Sequence, residues 1–300
     1  MVIDGATGSE LDRMGVDCKR PLWSANANIN APDVLKQVHK LYLEAGAVAV
    51  TTNTFSTHER KLNRDKVGYL AEELTKKAVQ MAVEARNEVN PDALVLGCIS
   101  PLSQCYAPKD APDFKTCKKE HLQNCKYLLE AGADFLWIET ACSKFDALAA
   151  VEACEQLAPG KWGISFSLPV ETVGIMRCGT PIADIVHKLA KAAFIGVNCM
   201  DGKEVARQVQ HLKEIAPEGM RIAAYGNIGY WVPPTDYKAG IKKKNDVELD
   251  AIYACLVKQW IEAGASIVGG CCGTSPDTIR MLHAIIKQHE LSTTNSEMSD

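Results

Sequence analysis

A chain of 300 residues with 47% hydrophobic and 23% charged side chains can build a sizeable packed core, in one large domain or two ordinary ones. Its formal net charge of −4 and pI near 6.0 argue against a nucleic-acid partner, and the one basic run, Lys242-Lys243-Lys244, reads as a solvated loop. No basic-then-apolar leader opens the chain and no apolar run approaches the roughly 18 residues of a membrane helix. A soluble, cytoplasmic protein with no membrane partner is therefore expected, and in that reducing compartment its 12 cysteines read as buried hydrophobes, metal ligands or catalytic thiols rather than disulfides.

In chain order, strands are expected near Val2–Asp4, Val48–Asn53, Leu94–Ile99, Phe135–Glu139, Gly163–Phe166, Phe194–Asn198, Arg221–Tyr225 and Ile267–Cys271. Each is a short apolar run of the kind buried on both faces of a parallel sheet. Amphipathic helices are expected between them, over Pro32–Ala45, Leu70–Val89, His121–Ala131, Phe145–Leu157, Ile182–Ala192, Glu204–Ile215 and Val247–Ala263. A last helix starts at Ser275-Pro276-Asp277, an N-cap with a first-turn proline, and runs to about His289.

One short pattern recurs through this alternation. Glu44-Ala45-Gly46-Ala47, Glu130-Ala131-Gly132-Ala133 and Glu262-Ala263-Gly264-Ala265 each precede a strand, and Ala190-Lys191-Ala192-Ala193 is a degenerate copy. The glycine can take the left-handed conformation that ends a helix. The copies are spaced at about two and three times 43 residues, a plausible βα unit. Eight strands alternating with eight helices predict a single (β/α)8 barrel over residues 1–290, with residues 291–300 a polar, disordered tail. An open doubly wound sheet is the alternative, although no G-x-G-x-x-G follows the first strand.

The reactive face of such a barrel lies at the C-terminal ends of its strands. The sixth expected strand ends in Gly196-Val197-Asn198-Cys199 and the eighth in Gly269-Gly270-Cys271-Cys272-Gly273-Thr274. A catalytic zinc takes three protein ligands and keeps a fourth position open, and three thiolates there would hold a substrate thiol as a nucleophilic thiolate. Singly, Cys199 is as well read as a small buried hydrophobe, and the vicinal pair as core or as a strained disulfide. The other nine cysteines, Cys18, Cys98, Cys105, Cys117, Cys125, Cys142, Cys154, Cys178 and Cys255, read as packing or surface. Asp4 and Glu139, also at strand ends, could receive the ammonium of an amino acid or serve in ion pairs and caps. Thr52, Asn53 and Thr54 add polar groups to the rim, and Asn198 could donate to a substrate carboxylate.

Gly5-Ala6-Thr7-Gly8, TTNTF at 51–55, GVNC at 196–199 and GGCCGTSP at 269–276 together resemble the homocysteine S-methyltransferase family, over the chain from Asp4 to about His289. The resemblance implies a (β/α)8 barrel with Zn2+ on Cys199, Cys271 and Cys272, and homocysteine held through Asp4, Thr52, Glu139 and Asn198. The implied partners are small molecules, homocysteine and a methyl donor, with a homo-oligomer left open. Betaine-using members surround the donor's ammonium with aromatic residues, as cation–π recognition requires. Trp23 matches that pattern, but Ser56 and Thr140 stand where it has tyrosines. Tyr230 and Trp231 could complete a cage with Trp23, or simply pack their loop. The expected reaction is methyl transfer to homocysteine from a sulfonium donor, S-methylmethionine or S-adenosylmethionine, ahead of betaine. Two other readings stand beside it: a homocysteine-activating component served by a separate corrinoid protein, and a thiol-rich zinc-storage or redox-sensing protein.

Overall fold

The computed structural model describes residues 1–19, 22–102, 104–228 and 247–297; Tyr230, Trp231 and the Lys242–Lys244 run lie outside them. Seven parallel strands form one curled sheet in sequential order: β1 (Ala49–Thr51), β2 (Leu94–Ile99), β3 (Phe135–Ala141), β4 (Trp162–Phe166), β5 (Phe194–Asp201), β6 (Arg221–Asn227) and β7 (Ile267–Val268). The eighth expected strand, Val2–Asp4, is present as one parallel bridge, Val2 with Val268, and a short run of ladder bonds. Ile3 N donates to Val268 O and Gly270 N to Asp4 O on one side, and Val48 N to Val2 O and Asp4 N to Ala49 O on the other. The segment therefore touches both outer strands of the sheet.

The helices are α1 (Thr7–Arg13), α2 (Ala27–Asn30), α3 (Pro32–Glu44), α4 (Glu59–Asn63), α5 (Ala71–Val89), α6 (Phe114–Glu130), α7 (Lys144–Leu157), α8 (Gly202–Ile215), α9 (Val247–Glu262) and α10 (Pro276–Glu297). The recurring glycine does what its chemistry suggests. Gly46, Gly132 and Gly264 take φ of 101°, 102° and 112°. In each copy the glycine N–H returns to the carbonyl three residues back, and the following alanine N–H to the one five back. This is a Schellman closure, repeated three times, and each aims the chain into the next strand.

Three differences from the sequence reading have local causes. Helix α6 begins at Phe114 rather than His121, because the Asp113 side chain caps it by accepting from Thr116 N at 3.1 Å. The helix expected over Ile182–Ala192 is instead two 3-10 turns, Ile182–Asp184 and Val186–Leu189. Ile182 N is drawn to Gly174 O, no glycine follows to close an α-helix, and three-residue turns already bury Ile182, Ile185 and Leu189. At the C-terminus, α10 continues to Glu297 into the segment read as a tail; no glycine or proline after Pro276 interrupts it.

Two layers of apolar side chains hold this arrangement. The larger packs the helices on the outer face of the sheet. The smaller fills the inner face of the curl with Ile3, Ala49, Leu96, Trp137, Phe194 and Tyr225 among its members. Trp137 anchors it, with its ring 4.2 Å from Phe194 and 5.2 Å, edge-on, from Tyr225. Among the described residues no helix is long and apolar enough to cross a membrane.

Candidate metal centre and amino-acid pocket

Two strand irregularities shape the site. The register between β3 and β4 slips between Ile138 and Ala141, and that between β5 and β6 slips between Asn198 and Asp201. At the slips Thr140 and Cys199 take φ of 55° and 51°, a left-handed conformation costly for side-chain-bearing residues and most of all for a β-branched one. Asn198 links them, its Oδ1 accepting from Thr140 N at 3.0 Å. The bulge turns Cys199 away from the strand alternation toward the end of β7.

There the chain passes through Gly269 and Gly270 into Cys271 and Cys272. A Cβ on Gly269 would lie 2.3 Å from the Ile3 side chain, and one on Gly270 2.3 Å from Thr274 Oγ1. The turn is stitched to residues 5–9: Thr274 Oγ1 donates to Cys271 O at 2.7 Å and accepts from Ala6 N at 3.1 Å, and Gly273 N donates to Ser9 Oγ at 3.1 Å. The GATG and GGCCGT motifs are thus two halves of one cradle.

The outcome is a cluster in which the sulfurs of Cys199, Cys271 and Cys272 all lie within 4.8 Å of one another, Cys199 Sγ and Cys272 Sγ 3.9 Å apart. Tetrahedral zinc–thiolate bonds of about 2.3 Å put sulfurs roughly 3.8 Å apart, so both the donor set and the spacing fit such an ion. Hydrogen bonds from the other two thiols hold Cys272 well below the usual thiol range against the effect of burial. Hydrogen bonding to Cys199 and Cys272, with burial, pushes Cys271 well above it.

Two carboxylates lie at strand ends, Asp4, whose carbonyl accepts from Gly270 N, and Glu139 in β3. Burial raises Asp4 to about 7, although Thr51 offsets part of the shift by donating its N–H at 2.7 Å and its hydroxyl at 3.0 Å; nearby Glu139 pushes Asp4 up further. Burial also raises Glu139, against hydrogen bonds from Cys98 and Tyr225. Glu139 is oriented by a relay in which Trp137 Nε1 donates to Ser165 Oγ at 3.1 Å, Ser165 Oγ meets Tyr225 OH at 2.5 Å and Tyr225 OH donates to Glu139 Oε1 at 2.9 Å. Neither acid has a basic side chain as hydrogen-bond partner among the described residues, so the pair forms a pocket suited to a small cation.

The remaining sequence-predicted residues fall unevenly. Asn198 is brought to the cluster. Thr52 accepts from Cys98 N at 3.0 Å and bonds Thr54 Oγ1 at 2.8 Å, which commits its hydroxyl to joining β1 and β2. Trp23, with φ of 51°, sits on the rim beyond β1 with its ring 6.1 Å from Phe55, edge-on. Ser56 and Thr140 are both buried.

Four residues near the site escaped the sequence reading. Thr51 and Tyr225 lie in expected strands, and alternation could have placed them beside Asp4 and Glu139. Tyr106 and Arg177 are on aperiodic loops with no such signal. Tyr106 OH lies 3.2 Å from Cys199 Sγ, and the Arg177 guanidinium stacks 4.7 Å from the Tyr106 ring centre.

The profile of the homocysteine S-methyltransferase family matches residues 1–286. Homocysteine S-methyltransferase YbgG of Bacillus subtilis (strain 168) is 30% identical, over 95% of this chain and 93% of its own. Homocysteine S-methyltransferase 3 of Zea mays is 29% identical, over 96% and 90%. The crystal structure of the homocysteine methyltransferase MmuM from Escherichia coli, in its metallated form, superposes with a TM-score of 0.78 at 25% identity, covering 95% of both chains.

Proposed function

Because the chain belongs to the homocysteine S-methyltransferase family, we propose that it transfers a methyl group from a sulfonium or quaternary-ammonium donor to the thiol of L-homocysteine, forming methionine, with zinc on Cys199, Cys271 and Cys272. The observation that carries this reading is the three-sulfur cluster at the same strand ends as buried Asp4 and half-buried Glu139, neither of which has a basic hydrogen-bond partner among the described residues. The ladder bonds of Met1–Asp4 to both outer strands support a sheet closed into an eight-stranded (β/α)8 barrel, forming one domain through about residue 290. A cytoplasmic location fits the reduced thiols such a site needs.

When bound, the metal supplies a Lewis acid that keeps a thiol in its open position ionised near neutral pH. Everything else falls to the chain's own residues. Asp4 and Glu139 receive the ammonium of homocysteine, whose charge favours the ionised form of both raised acids. Asn198, fixed through Thr140, donates its amide to the carboxylate, and Thr52 keeps the β1–β2 rim in register. Trp23 offers an aromatic face to the donor cation, which steadies the charge without the over-binding a carboxylate would impose. The thiol proton leaves to solvent, and the sulfur then attacks the donor methyl in line. A new S–C bond forms as the donor's bond to that carbon breaks, and its electron pair stays on the donor atom. With S-methylmethionine, two molecules of methionine result.

The absence of tyrosine at Ser56 and Thr140 favours a sulfonium over betaine. The test is a donor panel with the zinc-loaded protein and homocysteine: S-methylmethionine, S-adenosylmethionine, betaine and a methylcorrinoid. Turnover with a free sulfonium is expected, and Cys199→Ser, Cys271→Ser and Cys272→Ser should each lose metal and activity together. Activity with the methylcorrinoid alone would make the chain a component of a corrinoid system. Full metal occupancy with normal turnover in any variant would remove that cysteine from the ligand set.

A further inference from the structure

Arg177 lies on the loop after β4, and the function proposed above gives it no task. Its guanidinium stacks on Tyr106, whose hydroxyl touches Cys199 Sγ. Its Nη2 reaches Leu168 O at 3.2 Å and Ser167 Oγ at 3.5 Å, and Ser167 Oγ in turn donates to Cys199 O at 3.2 Å. Two short paths thus join Arg177 to a cysteine of the cluster. Both of its hydrogen-bond acceptors are neutral, and although the side chain is only half-buried, its Nε is enclosed with no acceptor among the described residues. An enclosed, unpaired N–H on a guanidinium is suited to an incoming anion. Its planar fork matches a carboxylate with two parallel N–H···O bonds, and the stacking against Tyr106 holds that fork in place.

Resting on the proposed reaction, the chemistry shows which carboxylate this is. S-methylmethionine, S-adenosylmethionine and betaine all carry one, and so does homocysteine, so two carboxylates must be housed. The carboxylate of homocysteine sits on the same carbon as its ammonium, so it is confined to the neighbourhood of Asp4, Glu139 and Asn198. These three belong to the strands and to the short segment that laddders beside them. Arg177 and Tyr106 belong instead to the loops that follow β4 and β2, beyond the strands that carry those three residues. We propose that Arg177 binds the carboxylate of the methyl donor and so orients the cationic methyl toward the sulfur site, selecting donors that carry a carboxylate.

The experiment compares S-methylmethionine with its methyl ester, which keeps the sulfonium and removes the anion, at saturating homocysteine. Betaine and its methyl ester form a second pair. In Arg177→Gln, kcat/KM for the acid should fall about tenfold to hundredfold, mainly through KM. The loss for the ester should be much smaller, so the wild-type preference for the acid collapses. Arg177→Lys should restore part of it, since charge returns without the fork. Calorimetry should show weaker binding of S-methylmethionine to the variant, with bound zinc and homocysteine KM unchanged. Equal losses for acid and ester, or lost zinc, would overturn the proposal in favour of a purely structural role through Tyr106. A rise confined to homocysteine KM would overturn it by making Arg177 an anchor for the acceptor. Wild-type protein that neither binds nor turns over S-methylmethionine, S-adenosylmethionine or betaine would refute the parent reading of function, and this inference with it.

Discussion

At the scale of single residues, the site is built from groups that are costly to keep in a resting protein. Asp4 is the clearest case. A pKa raised from 3.8 to about 7 means the folded protein binds a proton there more tightly than the unfolded chain does. The stabilisation this represents is complete below pH 4, declines as pH rises between about 4 and 7, and is absent above that. The full loss is on the order of 4 kcal/mol at about 1.4 kcal/mol per unit. Asp4→Asn removes the titration, so its stability relative to wild type should increase from pH 4 to pH 7 and then level off, in urea unfolding of the ligand-free protein. A difference that is flat with pH would mean Asp4 is not buried as a neutral acid. Homocysteine should offset the strain, because its ammonium favours the carboxylate. Asp4 and Glu139 were legible as acids at strand ends, and the three cysteines as a set. The resemblance implies Thr52, while the contacts to Asp4 are made by Thr51; a motif shows which residue types are present but not which face of a three-residue strand each occupies. Tyr106 and Arg177 could not be read at all, since only tertiary contacts bring their loops together.

At the scale of elements, the helix-ending glycines and apolar runs were legible because each works through local backbone chemistry. All seven strands of the sheet start within one residue of their expected positions. The Ile182–Ala192 segment departs from the expected helix because apolar residues at mixed three- and four-residue spacing suit a 3-10 turn as well as an α-helix, and the start of the segment is tied back to Gly174 O earlier in the same connection. Bulges leave no such signature, yet those in β3 and β5 aim the key side chains. The turn after β7 is similarly demanding. Gly270→Ala would drive a methyl group into Thr274, whose hydroxyl holds both Ala6 N and Cys271 O. Such overpacking costs about 1–3 kcal/mol. The variant should stay folded by circular dichroism but hold zinc more weakly in a chelator competition, because Cys271 and Cys272 move. Unchanged zinc affinity would show that the cradle does not position the ligands.

At the scale of the molecule, two apolar layers carry the fold, and the three-cysteine cluster carries the proposed chemistry. Chelation should therefore abolish turnover and leave the far-ultraviolet circular dichroism unchanged, because the outer layer includes none of the three cysteines and only Cys271 packs against the inner one. Loss of the helical signal would make the ion structural. The segment Met1–Asp4 has a consequence in time as well as in space. The N-terminal ammonium reaches Ser266 O across 265 residues, and closing a loop of that length costs on the order of 5 kcal/mol of chain entropy. That seam is therefore expected to form late, once the intervening units have shortened the effective loop. Asp4 and the turn bearing Cys271 and Cys272 both lie on it. A chain still folding then has neither its acid pocket nor its complete set of three thiols, so on the proposed reading metal capture would follow the scaffold rather than act as its nucleus.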